Sequence, residues 1–236
     1  EIAEKHLGAD HVRTSHFTHN AGMTLRKLGR FDESLRTLER ALSLHEKAAG
    51  LEHPDRADYL LNIGAVFLET ERLDDALRVA REALELIERL LGADHPGTGL
   101  ANMGVGEVLR RKGDFKAARL YLEKSVPLLE KMGGPNHPFV AWALTSLGET
   151  ILALGDPTRA LPPIRRALAI REKARGAAEV AASRFALAKA LSALKANDPR
   201  VRKLVEAARA GFSGAGAQHM KRVAEIDAWI AQTARR

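Results

Sequence analysis

The stretch HPDRADYLLNIGAVFLETERLDDALRVAREALELIERLLG, residues 53–92, contains two amphipathic helical patterns on either side of a short polar turn. The first pattern has one apolar stripe at the i, i+3, i+4 and i+7 spacing of a helix: Leu60, Ile63, Gly64 and Phe67. After the turn ERLDD, alanine, valine, leucine and isoleucine recur at helical spacing while arginine and glutamate occupy the other face. The stretch therefore predicts a pair of packed helices.

The same pattern returns every 42 residues along the chain. One register of glycines is Gly8, Gly50, Gly92, Gly134 and Gly176. A histidine follows three residues after each of the first four glycines, and a proline follows that histidine in three of the four copies. A second register falls inside the first helix of each pair: Gly22, Gly64, Gly106 and Gly148. Chance does not hold several registers in phase over five periods, so the chain is a repeat array.

Small residues recur at two further positions, opening and lining the second helix: Ser34, Ala76, Ala118 and Ala160, then Ala41, Ala83, Ser125 and Ala167. Together with the glycines of the first helix, this pattern resembles the tetratricopeptide repeat, in the 42-residue form of kinesin light chains and many bacterial regulators. The resemblance covers almost the whole chain. It implies an all-α, right-handed α-solenoid of stacked antiparallel helix pairs with a C-terminal capping helix.

The repeats divide the sequence into four parts. Residues 1–8 are expected to be the tail of a preceding second helix, which suggests a piece of a longer array, and residues 9–176 are expected to form four 42-residue units. A degenerate fifth pair is expected over residues 177–214, ended by the glycine-rich GFSGAG, and a capping helix over residues 215–236 with the stripe Met220, Val223, Ile226 and Ile230. The ending AEIDAWIA resembles the ends of arrays that follow kinase domains in some bacterial serine/threonine kinases.

Composition excludes several classes of protein. The chain has no cysteine, which removes disulfide frameworks and thiolate metal sites, and no apolar run long enough for a membrane span. The absence of cysteine is typical of a reducing cytoplasm, where we expect the protein to lie. The net charge of +7 is uneven, since residues 156–222 contain 15 Lys and Arg against 5 Asp and Glu. This basic third either binds a polyanion or is an arginine-rich solvated surface.

No motif demands catalysis. GVGEVL, residues 104–109, begins like a nucleotide-binding glycine loop, but it lies within a helix pattern and its last position is leucine. His16 and His19 are three residues apart and could share a metal ion, yet no carboxylate completes a ligand set. At the repeated corner GADHPGTG, residues 92–99, Gly92 suits a left-handed residue and Asp94 a helix cap. We therefore expect no enzyme activity, no cofactor and no metal.

First helices of such repeats line the concave face of the solenoid, so a partner is expected to bind there. Counting from the packing glycine of each first helix predicts the groove candidates: His16, His19, Asn20, Met23, Arg26, Asp58, Asn62, Glu107, Arg110, Trp142, Ser146 and Glu149. Asn20 and Asn62 occupy a position where the resembled family uses asparagine to hold a peptide backbone, because an amide is both donor and acceptor. Gly104 and Ser146 interrupt this ladder. Solvation of the groove by the two asparagines, and helix packing by Trp142, remain alternatives.

The leading hypothesis is a non-catalytic module that binds a peptide or helix of a partner protein in the groove, within a larger signalling or scaffold protein. The alternative is a solenoid that binds nucleic acid or anionic lipid through the basic third. A third hypothesis is a spacer or a self-association surface.

Overall fold

The computed structural model describes residues 12–174, 176–195 and 198–233. These residues form eleven α-helices and a single 3-10 turn, with no strand among them: α1 (Val12–Lys27), α2 (Phe31–Ala49), α3 (Arg56–Glu69), α4 (Leu73–Leu91), α5 (Pro96–Lys112), α6 (Phe115–Gly133), α7 (Pro138–Ala153), α8 (Pro157–Ala174), α9 (Ala177–Leu194), α10 (Pro199–Gly214), the turn Ala217–His219, and α11 (Met220–Thr233). The predicted all-α helical-repeat solenoid is confirmed. The helix tail predicted for residues 1–8 lies outside the described residues.

The chain divides into two compact units, Glu1–Asp114 and Phe115–Arg236. Unit one holds α1 to α5 and unit two holds α6 to α11. Within each unit every helix packs against the next one along the chain. The boundary separates the two helices of the third predicted repeat, a division that the repeat pattern did not predict.

Glycines inside the first helices let the paired helices approach closely. A Cβ added at Gly22 would lie 2.7 Å from Leu38 Cγ, and one added at Gly148 would collide with Ile164 Cγ1. The close approach also places the Ser34 hydroxyl where it donates a 2.8 Å hydrogen bond to the Gly22 carbonyl oxygen. The prediction that packing forbids a side chain is therefore confirmed at Gly22 and Gly148.

The repeated histidine is the helix cap at two corners between repeats, before α5 and before α7. His95 has an extended backbone, and its Nδ1 accepts a 3.0 Å hydrogen bond from the Gly97 N–H. His137 caps α7 in the same way, through the N–H two residues later. The prediction that Asp94 is the cap is wrong, because the N-cap position directly precedes the proline at the first helical position and Asp94 lies one residue too early.

Residues with positive φ occur both at the corners between repeats and in turns within the helix pairs. Gly92 has φ 91° and ψ 160°, so its φ has the expected sign while its ψ is extended rather than left-handed helical. In the turn within the third pair, Gly113 has φ 82° and ψ 4°, the left-handed helical conformation. Glu71 takes the equivalent place in the second pair, at φ 59°, and no other non-glycine residue of the described chain has positive φ. A side chain in this conformation is strained.

Helix α10 does not end where the glycine-rich segment begins. It continues to Gly214, because Phe212 is buried in the core and Gly211 lets the helix approach Ala181, whose Cβ would lie 2.9 Å from an added side chain. The helix therefore ends at Gly214, inside the glycine-rich segment.

Helix α11 packs its middle against the fifth pair. Val223 and Ile226 are buried in a cluster with residues of α9 and α10, and Trp229 meets the Phe185 ring edge-on at 5.7 Å. The apolar stripe predicted for this helix also included Met220 and Ile230, but these two side chains are 54% and 40% exposed.

Candidate functional site

The three first helices of unit one contact each other in sequence. The Ser15 hydroxyl of α1 lies 3.0 Å from the Tyr59 hydroxyl of α3, and Gly104 of α5 comes so close to Leu61 that a Cβ there would lie 2.9 Å from Leu61 Cδ2. The first-helix face is defined here by the positions that the glycine register predicts: His19, Asn20, Met23 and Arg26 on α1, Asp58, Leu61, Asn62, Ala65 and Leu68 on α3, and Met103, Gly104, Glu107 and Arg110 on α5.

Two asparagine amides lie at equivalent positions of this face. Asn20 is exposed and its side chain makes no hydrogen bond within the described residues. Asn62 is half-buried, and its Nδ2 donates a 2.8 Å hydrogen bond to the Asp58 carbonyl oxygen one turn earlier. That bond orients the Asn62 amide and leaves its Oδ1 without a donor in the described chain. Both amides therefore retain hydrogen-bonding capacity.

The charges of the first-helix face differ in how far they are paired. Arg26 is half-buried, and its Nε is shielded from solvent without an acceptor in the part of the chain that the structure describes. Asp58 keeps accessible surface, while partial burial and the neighbouring Asp55 raise the pKa of its carboxyl. Glu107 and Arg110 bind each other through two hydrogen bonds of 3.0 and 2.6 Å. A partner would meet an open cation at Arg26 and an ion pair already formed on α5.

A cluster of histidines surrounds Tyr59 beside this face. The Tyr59 ring is stacked on His45 at 4.7 Å and lies 4.4 Å from His19 on α1. His53 meets the edge of His45 at 5.1 Å, and His16 lies edge-on to both His45 and Tyr59 at 6.3 Å. Within the described ranges no three histidines or carboxylates are placed to hold a metal ion. His16, His19 and His45 contact the cluster through their rings, and His53 Nδ1 also accepts a 3.2 Å hydrogen bond from the Asp55 N–H.

His45 is the most constrained member of the cluster. It is 0% exposed, and neither of its ring nitrogens has a hydrogen-bond partner in the described structure. Burial, followed by the nearby charge of His53, lowers the pKa of His45, and burial with His16 and His45 lowers the pKa of His19. Sequence reasoning missed this cluster, although His45 lies four residues after the buried Ala41, at core spacing on α2.

In unit two the predicted groove residues on α7 differ in accessibility. Trp142 is 42% exposed, whereas Ser146 is 3% exposed and offers a partner almost no surface. Glu149 is half-buried, and its Oε1 accepts a 2.8 Å hydrogen bond from Lys189 Nζ on α9. The residues that remain open in unit two are therefore fewer than the spacing predicted.

Much of the basic C-terminal third is paired with carboxylates. The pairs within unit two are Arg166–Glu130, Arg184–Glu172, Lys189–Glu149, Arg200–Asp198, Arg202–Glu206 and Arg209–Asp227. These contacts reduce the positive charge that a polyanion would meet.

Family models for the tetratricopeptide repeat match residues 13–88 and 61–131, and a second such model matches residues 140–178. The chain belongs to the tetratricopeptide repeat family. No curated protein sequence matches it significantly. The TPR fold is generally non-catalytic, and no helix of the described residues is both long and apolar enough to cross a bilayer.

Several solved structures have a similar fold at low identity. Nearly identical TPR-like repeats of the kinesin light chain type from Podosopora anserina are 20% identical, cover 85% of this chain and 96% of that one, and give a TM-score of 0.64. BtubC (BKLC) from P. vanneervenii is 15% identical over 86% of this chain and 90% of its own, with a TM-score of 0.61. A Rap protein complexed with Competence and Sporulation Factor is 16% identical over 94% and 66%, with a TM-score of 0.64. The family match supports a protein-interaction repeat module, and these neighbours show its fold.

Proposed function

We propose that the first-helix face of unit one binds a short segment of a partner protein, extended or helical. The observation that carries the proposal is the pair of asparagines on neighbouring first helices, each with free hydrogen-bonding capacity. An amide donates and accepts, so amides on two neighbouring first helices can hold two peptide groups of a main chain without specifying its side chains.

The surroundings of the asparagines suit a peptide. Met23, Leu61, Ala65 and Leu68 keep part of their surface exposed and supply apolar contact. Arg26 is half-buried, and the part of its guanidinium that stays accessible can pair with a carboxylate of the partner, while its Nε is shielded from solvent. A mixed surface of this kind favours a peptide over a polyanion, which would require several open cations.

A structural neighbour supports the same kind of function. The Rap protein of similar fold was solved in complex with Competence and Sporulation Factor. By analogy, we propose that this chain also binds a partner, as one module of a larger signalling or scaffold protein in the cytoplasm. The analogy does not identify that partner.

The test is selection of binders from a random displayed peptide library, followed by fluorescence anisotropy with the selected peptides. Two lost hydrogen bonds of about 1 kcal/mol each predict that N20A/N62A weakens binding by about 30-fold. Asn136 is an exposed asparagine on the loop before α7, so N136A is the matched control and should bind as the wild type does. Selected peptides that bind N20A/N62A as tightly as the wild type, or a library that yields no binder, would overturn the proposal.

A further inference from the structure

A separate cleft in unit two lies between α8, α9 and α10. Its volume is about 320 Å³, and it is lined by Arg165 of α8, Leu187 and Leu191 of α9, and Arg200, Lys203 and Leu204 of α10. None of these residues belongs to the groove that the repeat pattern predicts.

The floor of the cleft is apolar and recessed. Leu187 and Leu191 are one helical turn apart on α9, and both are buried, while Leu204 is half-buried beside them. Recessed leucines cannot reach a flat bilayer, but an apolar side chain that enters the cleft can cover them. The open volume suits one or two side chains of a peptide rather than an enclosed small molecule.

The rim of the cleft has two open cations. Arg165 and Lys203 are exposed, and neither has a carboxylate partner within the described ranges. Arg200 differs, because its guanidinium makes hydrogen bonds of 2.9 and 2.6 Å to Asp198. These bonds hold the pKa of Asp198 down to about 2, so that pair stays neutral as a whole. The cleft therefore keeps an excess of positive charge from Arg165 and Lys203.

We propose that this cleft is a second docking site, for an acidic segment of a partner protein that inserts leucine-type side chains. Carboxylates of the segment pair with Arg165 and Lys203, while its apolar side chains cover Leu187 and Leu191. A nucleic acid fits less well, because no aromatic side chain among the described residues lines the cleft for base stacking. The site does not depend on the first-helix face of unit one.

The test uses a fluorescein-labelled synthetic helical peptide of glutamates with leucines at i and i+4, titrated with the full chain in anisotropy at low salt. The charge reversal R165E/K203E should weaken binding about tenfold or more. Arg81 and Lys47 in unit one are exposed without partners in the described residues, so R81E/K47E changes the net charge equally and should change binding much less. A peptide with its leucines replaced by alanine should also bind at least about tenfold more weakly.

Equal losses in R165E/K203E and R81E/K47E would show general charge attraction and overturn the proposal, as would unchanged binding of the alanine peptide. Single-stranded DNA and phosphatidylserine vesicles serve as competitors. The proposal fails if either competitor displaces the peptide from the wild type and also binds the R165E/K203E variant more weakly, by the same factor as the peptide does. The cleft would then be a site for polyanions. Circular dichroism of both variants confirms that the helices are intact.

Discussion

The histidine cluster predicts that unit one loses stability in mild acid. His45 has no accessible surface, no described residue accepts a proton from its ring, and burial lowers its pKa below the ordinary value of 6.5. The groups that face it are His16 and His53, which disfavour its charge, and Asp55 and Glu46, which favour it. The net direction is downward, so the unfolded chain binds a proton at His45 before the folded chain does.

The magnitude follows from that difference in proton binding. Stability is fully present above a pH of about 6.5 and falls by up to about 1.4 kcal/mol per pH unit below it, until the folded-state pKa is reached. At about pH 5 this amounts to at most about 2 kcal/mol for His45.

The assay is urea denaturation of the wild type and of H45L, followed by circular dichroism, from about pH 8 to about pH 5. Leucine removes the titrating group and the two unpaired nitrogens at similar volume, so the stability of the wild type relative to H45L should decrease as the pH falls. H45Q, which is polar and does not titrate, should follow H45L in its pH dependence. Parallel curves for wild type and H45L would refute the reasoning.

Three further predictions concern the packing and the turns, each measured as a free energy of unfolding in urea. G148A should destabilise the protein by about 1–3 kcal/mol because its Cβ would collide with Ile164, whereas G214A, with open space around it, should stabilise by about 0.5–1 kcal/mol. E71G should be more stable than E71A by up to about 1 kcal/mol, because glycine relieves the positive φ while both variants lose the Glu71–Arg111 ion pair, and equal stabilities would contradict the assigned strain. H95A should cost about 1 kcal/mol as the cap is lost while H95N retains stability; equal losses would rule out capping.

The repeat period predicted the helix pairs because each packing contact leaves a local signature in sequence. Gly22 and Gly148 could be recognised because a Cβ at either position would collide with Leu38 or Ile164, so only glycine fits. The same need for glycine recurs every 42 residues, which makes it visible in the sequence. The cap at His95 was missed because a histidine cap is uncommon and an aspartate lies next to it.

The candidate site was less predictable, because spacing assigns a face and not its contacts. Ser146 lies at a groove position by count, yet its surroundings bury it. His45 is polar by type, and only the structure shows Tyr59 stacked upon it. The cleft between α8 and α10 requires residues from three helices, which no local pattern brings together.

The central claim, that a partner peptide binds the first-helix face of unit one, is tested most directly by photocrosslinking. Leu68 on that face and Leu77 on α4 are both partly exposed leucines of the second helix pair. Each is replaced in turn by p-benzoyl-phenylalanine, and a library-selected peptide is irradiated with each variant and located by mass spectrometry. The proposal predicts crosslinking at position 68 and little at position 77. Crosslinking at 77 alone, or equally at both positions, would contradict it.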